Sequence, residues 1–289
     1  MTYRDVMSNT TDQQAELGSF LRSRRAAVTR ADFDLPELRG GRTRGLRREE
    51  VAVLAGVSVT WYTWLEQGRN ANPSRQVVDA IARELRFSGA EHAYALALAG
   101  FGPPVSLDRD PDRPVPEHLS RLLDGWSESP AFAITASWDI VAWNRAYEAL
   151  YPGVGAHQFG RRNLLWAVFM DPYVRRMLPE WSTDSAHFVG EFRVDYATHL
   201  SSDAMKELVH DLRRQSQEFD EVWTRHGIER FSSRMRRFHH PSVGDLALEV
   251  HRLVLSDDPN LHLIVYSAVP GETDTAALAT LIETASPPR

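Results

Sequence analysis

A short proline-rich stretch predicts a domain boundary within this chain of 289 residues. The segment Phe101–Pro116 reads FGPPVSLDRDPDRPVP and contains five prolines. Because proline lacks an amide hydrogen and its ring clashes with the preceding helical turn, such a run ends a helix and favours an extended spacer. We therefore predict an N-terminal domain at residues 1–101, a linker at 102–116 and a C-terminal domain at 117–289.

The two parts carry net charges of opposite sign. Between Gly18 and Arg75 there are 11 arginines and 6 acidic residues, whereas from Phe101 to the end there are 19 basic and 27 acidic residues. A basic part joined to an acidic remainder predicts an anionic partner for the first part alone. A chance excess of arginine on a solvated face is the alternative.

The composition excludes several classes of protein. The absence of cysteine excludes disulfide frameworks, zinc fingers, iron–sulfur sites and cysteine nucleophiles. The longest apolar run, near Ala93–Ala99, is much shorter than a membrane-spanning helix requires, and the N-terminus carries no apolar signal segment. We therefore expect a cytoplasmic protein with no membrane partner.

The N-terminal part has the hydrophobic spacing of five short helices. The first begins near Leu17, and Ser58, Ser74 and Ser88 are suitable N-caps for the third, fourth and fifth. Residues 47–69, RREEVAVLAGVSVTWYTWLEQGR, place Ala52 where two helices cross closely and Gly56 at a sharp turn. This register predicts a helix-turn-helix whose second helix enters the major groove of DNA, with a generic helical hairpin as the alternative.

After the linker, helical and strand-like segments are mixed. Helical spacing predicts helices at 117–126, 145–150, 163–169, 182–199, 203–213, 217–225 and 273–284. Runs rich in β-branched and aromatic residues predict a short strand before Trp138 and longer strands at 231–239, 245–255 and 261–269. The predicted fold class is α+β: an all-α five-helix domain joined to an α+β domain on an antiparallel sheet.

Several blocks of the sequence resemble a known family. The N-terminal blocks GLRREEVA, LAGVS and WYTWLEQGR resemble XRE-type, lambda-repressor-like helix-turn-helix domains. The C-terminal blocks PAFAITASWDIVAWN, RRNLLWAVF, SQEFDEVWTRH, HHPSVGDLALEV and LIVYSAVPG resemble MmyB-like transcription regulators. The resemblance implies a PAS-like ligand-binding domain, a fatty acid or other small apolar ligand and no obligatory cofactor. We expect a homodimer bound to double-stranded operator DNA.

Geometry and the resemblance together assign roles around the reading helix, which Ser58 starts. We expect Val59, Thr60 and Trp64 to meet base edges, together with Arg48 on the preceding helix. The groups expected to hold phosphates are Thr63, Arg69 and the amides near Ser74 and Arg75. Trp64 stands where the family commonly has arginine, and it contacts either DNA or a protein interface.

Three further arginines lie in the loop before this motif. Arg39, Arg42 and Arg44 reach phosphate or the minor groove, or else remain solvated; Arg44 stands where the family commonly has proline. Glu66 is not a DNA-binding group. We expect it to pair with Arg25 of the first helix, as this fold usually arranges.

Most aromatic side chains lie after Phe101, where they form either an ordinary core or a ligand pocket. The candidate lining residues are Trp143, Phe169, Phe219 and Trp223. Arg162, Asn163 and Arg193 lie beside apolar residues, and we expect them to anchor an anionic head group. Asn144 is a further candidate, although an N-cap role fits it better, and Arg162 is alternatively a surface ion-pair partner.

Two other kinds of C-terminal domain remain as alternatives. The chain has no HExxH, GxSxG, Walker or GxGxxG motif, so we expect no enzyme. His239 and His251 lie on neighbouring predicted strands, but no supporting ligands have a recognisable spacing, so we predict no metal site. A haem-sensing domain and a protein-interaction domain are the alternatives to a sensor of an amphiphilic molecule.

Overall fold

A computed structural model describes residues 3–33, 45–69, 71–101, 116–155, 161–199, 202–256 and 258–284. These residues belong to two compact units. Unit 1 draws on residues 1–105, 193–206 and 223–230, and unit 2 on residues 106–192, 207–222 and 231–289. Two stretches that the sequence analysis assigned to the C-terminal domain thus belong to unit 1. The predicted linker lies outside the described residues except for Pro116.

The five predicted helices of the N-terminal part are present, but the first begins at Tyr3 and not near Leu17. They are α1 Tyr3–Ala27, α2 Arg48–Leu54, α3 Val59–Glu66, α4 Arg75–Glu84 and α5 Gly89–Leu96. The predicted N-caps are confirmed, because Ser58, Ser74 and Ser88 each accept a hydrogen bond from a backbone amide of the first turn. Gly56 joins α2 to α3 with φ of 69°, a conformation that side chains with a Cβ rarely adopt.

The apolar faces of these helices form one core. Phe20 lies inside it, with its ring centroid 5.0 Å from that of Tyr94 and 5.2 Å from that of Phe87. Each fully buried side chain of this size stabilises the fold by about 1.5–3 kcal/mol. Ala197, which comes from the second stretch of unit 1, is buried in the same core.

The rest of the chain forms eight helices and five strands within the described ranges. The helices are α6 Glu117–Asp124, α7 Arg145–Leu150, α8 Leu164–Met170, α9 Pro172–Met177, α10 Trp181–Thr198, α11 Asp203–Gln215, α12 Gln217–Thr224 and α13 Thr275–Thr284. The strands are β1 Ala131–Thr135, β2 Ile140–Trp143, β3 Arg234–His240, β4 Gly244–Val254 and β5 Leu261–Ala268. The predicted α+β class is confirmed. The short elements β2 and α9 were not predicted, because each is too short to show a period.

The strands form one antiparallel sheet in the order β2-β1-β5-β4-β3. Leu119 and Leu123 of α6 cover one face, against alternate residues of β1 and β5. On the opposite face, the ring of Phe132 stacks on that of Tyr147 from α7 at 4.1 Å. None of the helices in the described ranges is long and apolar enough to cross a membrane.

Candidate functional site

The outer face of α3 is formed by the residues predicted to read DNA. Val59 is 38% exposed and Trp64 is 44% exposed, and Thr60 lies between them on the exposed side. Tyr62 and Leu65 point the other way and are buried. A helix with 3.6 residues per turn therefore presents one continuous exposed face at this end of unit 1.

Gln67 extends this face and was missed by the sequence analysis. It directly follows α3, four residues after Thr63, and is exposed. Its side-chain amide has the donor and acceptor that pair with adenine in the major groove. The four-residue spacing from Thr63 is the signal that identifies it.

Arg48 is held by the carboxylate of Glu66. Its Nε lies 2.6 Å from Oε2 of Glu66, and Arg25 donates to both carboxylate oxygens at 2.5 and 3.0 Å. The predicted pair of Arg25 and Glu66 is therefore confirmed, and Arg48 is an unpredicted third member. Glu66 therefore fixes the orientation of the Arg48 guanidinium. The Arg48 side chain is still 38% exposed, so the guanidinium remains accessible to solvent.

The charge of Glu66 is stabilised by its two partners. Burial by itself would raise the pKa of this carboxyl, but the hydrogen bonds and charges of Arg25 and Arg48 outweigh burial and lower it. Desolvation likewise opposes the charge of Arg25, yet Glu66 raises the pKa of that guanidinium. Glu66 and Arg25 therefore both remain charged at neutral pH.

We expect the stabilisation from Glu66 to disappear on acidification. A carboxyl whose pKa is lowered in the folded state binds protons more tightly when unfolded, so its contribution is complete above about pH 4.3 and is lost as the pH falls through the folded-state pKa. Thermal melting of the Glu66→Gln variant and the unsubstituted protein from pH 7 to pH 3 checks this. Equal differences in melting temperature at both ends of the range would contradict it.

The predicted phosphate-binding groups border α3. Arg69 is exposed, and the side chain of Arg75 is 62% exposed and 4.0 Å from Asp79. Ser74 accepts from the amide of Val77 at 3.4 Å, and the hydroxyl of Thr63 donates to the carbonyl oxygen of Val59 at 2.8 Å. Arg39, Arg42 and Arg44 lie outside the described residues.

Three residues predicted to contact a ligand in unit 2 have partners within the protein. The guanidinium of Arg162 lies 4.9 Å from the ring centroid of Trp143. Asn163 is the N-cap of α8 and donates to Asp139 at 2.9 Å. Asn144 is the N-cap of α7, and its amide donates to three carbonyl oxygens, so its atoms hold backbone in place.

The other predicted ligand residues pack against one another in two places. In unit 2, the rings of Phe169 and Phe219 meet edge to face at 5.1 Å. In unit 1, the guanidinium of Arg193 lies 3.9 Å from the ring centroid of Trp223, and Arg193 is fully buried. Their assignment to a ligand stays a prediction.

Unit 2 contains a partly open cavity of about 30 Å³, lined mostly by apolar residues, between its helices and the sheet. Its walls include Leu150, Leu164, Val174, Met177 and Phe188, and also Arg236. None of the eight residues predicted to bind a ligand lines this cavity. A volume of this size holds about one water molecule, so a longer alkyl chain enters only if the walls move apart.

Arg236 is the buried cation of this cavity. It is 4% exposed, its Nε lies 3.3 Å from Oδ1 of Asp184, and its Nη1 lies 3.4 Å from the hydroxyl of Tyr266. Burial raises the pKa of Asp184 despite the nearby charge of Arg236. Burial also opposes the charge of Arg236, but Tyr266 and Asp184 outweigh it and raise that pKa.

The sequence itself contains a signal that Arg236 is buried. Residues alternate across a strand, so Arg236, Phe238 and His240 share one face of β3, and all three are buried. An arginine on an inward-facing, partly aromatic stripe indicates a buried charge that needs a partner. That partner, Asp184, lies on α10 and is far away in sequence.

The histidines considered for a metal pair have other partners. His239 lies 2.6 Å from Asp245, and His251 lies 2.9 Å from Ser267 and 3.2 Å from Ser233. Within the described ranges, no group of three or more histidines and carboxylates is arranged to hold a metal ion.

Comparison with known proteins matches both parts of the chain. The sequence profile of the MmyB-like transcription regulator ligand binding domain matches residues 115–281, which is more than half of the chain. A helix-turn-helix domain profile matches residues 16–95. No curated protein matches the chain. The chain thus combines a DNA-binding domain with a ligand-binding domain of transcription regulators.

Proposed function

We propose that this chain, which belongs to the MmyB-like transcription regulators, binds a specific duplex sequence as a homodimer and changes its affinity when an amphiphilic acid occupies unit 2. The observation that carries the DNA-binding half is the continuous exposed face of α3. The observation that carries the ligand-binding half is the buried Arg236 in an apolar cavity.

The exposed face of α3 can read bases although it has Trp64, and no arginine, at its centre. Val59 and the indole of Trp64 offer apolar contact to thymine methyl groups, and Thr60 and Gln67 offer hydrogen bonds to base edges. Arg48, fixed by Glu66, and the exposed Arg69 supply positive charge beside this face. We therefore assign specificity to α3 together with Arg48, and position on the duplex to Arg69.

Selection of duplexes from a random library tests the proposed sequence-specific DNA binding. Thr60→Val is expected to relax preference at one base pair, by about 0.5–1.5 kcal/mol if the hydroxyl makes one hydrogen bond to a base. Arg69→Met is expected to weaken specific and random DNA alike and to reduce the salt slope by about 1. Arg83→Met, which removes a 74% exposed guanidinium on α4, is the matched control and should change neither quantity.

We also expect a near-palindromic operator. Two identical readers related by a two-fold axis require half-sites one helical turn, or a multiple of it, apart. Footprinting of the selected duplex measures this spacing. Protection of one unsymmetrical half-site by a single chain would contradict the dimer.

A carboxylic acid with an alkyl chain is the ligand class that fits unit 2. Arg236 has one carboxylate contact, to Asp184 at 3.3 Å, whereas a guanidinium can hold a carboxylate by two parallel hydrogen bonds. The surrounding walls are apolar, and each methylene that they bury contributes about 0.8 kcal/mol. We therefore place the head group at Arg236 and the chain between α8, α9 and α10. Arg162, Asn163 and Arg193 are not among the residues that line the cavity.

The regulatory half is tested by titrating delipidated protein with acids of increasing chain length and measuring operator affinity at each step. Affinity for the acid is expected to rise with length until the cavity can open no further. A regulatory effect of about 10- to 100-fold on operator affinity requires only about 1.4–2.7 kcal/mol of coupling. Flat acid affinity across lengths would contradict the cavity, and unchanged operator affinity would contradict the switch.

The protein-interaction and haem-sensing alternatives have less support. The described residues that line the cavity include no histidine to ligate a haem iron. An adaptor domain would leave operator affinity independent of any acid, so the same titration distinguishes it.

A further inference from the structure

We infer that Arg193 is a positioning residue of the DNA-reading helix and that α10 carries the ligand signal to it. The second half of this inference rests on the proposed function, because it requires an acid in unit 2. The first half concerns only contacts within unit 1 and can be tested without a ligand.

Arg193 is the buried centre of a polar cluster in unit 1. Its Nη1 donates to Oε1 of Glu16 at 2.6 Å and lies 3.1 Å from Nδ1 of His226, while Nη2 donates to the carbonyl oxygen of Trp223. The same oxygen of Glu16 accepts from the hydroxyl of Tyr94 at 2.7 Å. A fully buried guanidinium with these partners fixes the position of Glu16 on α1.

The next turns of α1 press directly on the end of the reading helix. A Cβ on Gly18 would lie 2.7 Å from the carbonyl oxygens of Leu65 and Glu66, so only glycine allows this approach. One turn further, Arg22 donates to the carbonyl oxygen of Glu66 at 2.8 Å. A displacement of α1 at Glu16 therefore reaches the last turn of α3, next to Trp64.

The helix that supplies Arg193 also lines the ligand cavity. Asp184 and Phe188 are one turn apart on α10, and they are the carboxylate partner of Arg236 and a wall of the cavity. Arg193 follows five residues after Phe188 on the same 18-residue helix. Because an α-helix transmits a shift along its axis almost rigidly, an acid that displaces Asp184 and Phe188 also displaces Arg193.

A merely structural role for Arg193 predicts a different outcome. Such a residue would affect the free energy of unfolding but leave both sequence specificity and the response to acid unchanged. Removing Arg193 alone would confuse the two roles, since it leaves Glu16 buried without its cation. The test therefore removes both charges and keeps the acceptor for Tyr94.

The decisive protein is the full-length double variant Glu16→Gln/Arg193→Met. In the absence of acid, we expect its ratio of operator to random-duplex affinity to fall by about two- to thirtyfold, the range found for residues along a coupling path. With dodecanoic acid, we expect its operator affinity to stay constant while that of the unsubstituted protein changes. Arg213→Met, which removes an arginine paired with Asp220 on the surface of unit 2, is the matched control.

The outcomes separate the two proposals. A folded double variant with an unchanged affinity ratio and an unchanged acid response overturns the inference. If the unsubstituted protein ignores every acid, the regulatory half of the proposed function fails, and the affinity ratio alone decides the positioning role. If thermal melting shows that the double variant is unfolded, Arg193→Lys replaces it. Lysine keeps the charge but cannot reproduce the contacts of the guanidinium with Glu16, His226 and Trp223. A reduced ratio of operator to random-duplex affinity then supports the positioning role, and an unchanged ratio overturns it.

Discussion

Replacing Glu66 by alanine is expected to lower the free energy of unfolding by about 3–5 kcal/mol. The carboxylate is completely buried between Arg25, whose side chain is 12% exposed, and Arg48. Once the carboxylate is removed, the guanidinium of Arg25 stays buried with no opposing charge. The desolvation of that guanidinium, rather than the lost attraction, makes the expected effect large.

A double-mutant cycle isolates the interaction. Chemical denaturation of Glu66→Ala, Arg25→Ala and the double variant gives the three free energies, and the double variant is expected to be less destabilised than the sum of the single ones. Glu117→Ala is the matched control: its side chain is 94% exposed in an ion pair with Arg121, so its effect is expected within about 0.5 kcal/mol. Additive effects of Glu66 and Arg25 would contradict the pair.

The helix-turn-helix could be predicted because its signals are local. Ser58, Ser74 and Ser88 cap helices through amides only three residues away, and Gly56 makes its turn by itself. Even the long-range pair of Arg25 and Glu66 could be predicted, because the resemblance to a known fold supplied the geometry. These features need no knowledge of how distant segments meet.

The cavity around Arg236 could not be predicted in the same way. The partners that stabilise the buried charge of Arg236 are Asp184, which is 52 residues away, and Tyr266, which lies on another strand. Arg193 was predicted to anchor a ligand because it stands among apolar residues, and that local pattern could not show its contact with Glu16, which is 177 residues away. An arginine beside aromatic residues has the same local pattern in a pocket and in a buried ion pair.

Replacing Arg236 by methionine is expected to weaken the binding of a long-chain carboxylic acid by at least about 30-fold, because truncating one member of a buried charge pair typically costs 2–5 kcal/mol. Methionine keeps much of the volume of the arginine stem and removes the charge. The fold is expected to tolerate the change, since burial already raises the pKa of Asp184 and its carboxyl can take up a proton when the guanidinium is gone.

The comparison that makes this prediction specific uses a neighbouring residue and a neutral ligand. Arg237→Met alters the next residue of β3, which points to the outside of the sheet, is 63% exposed and lies 3.6 Å from Glu180; it should leave acid affinity unchanged. A primary alcohol of the same chain length should bind both variants and the unsubstituted protein alike, because it has no charge for Arg236 to hold. Calorimetric titration measures all six combinations. Two results would mean that Arg236 supports the walls of the cavity and does not hold the head group. One is an equal loss of acid affinity in the Arg236 and Arg237 variants. The other is a loss of alcohol affinity in the Arg236 variant as large as its loss of acid affinity.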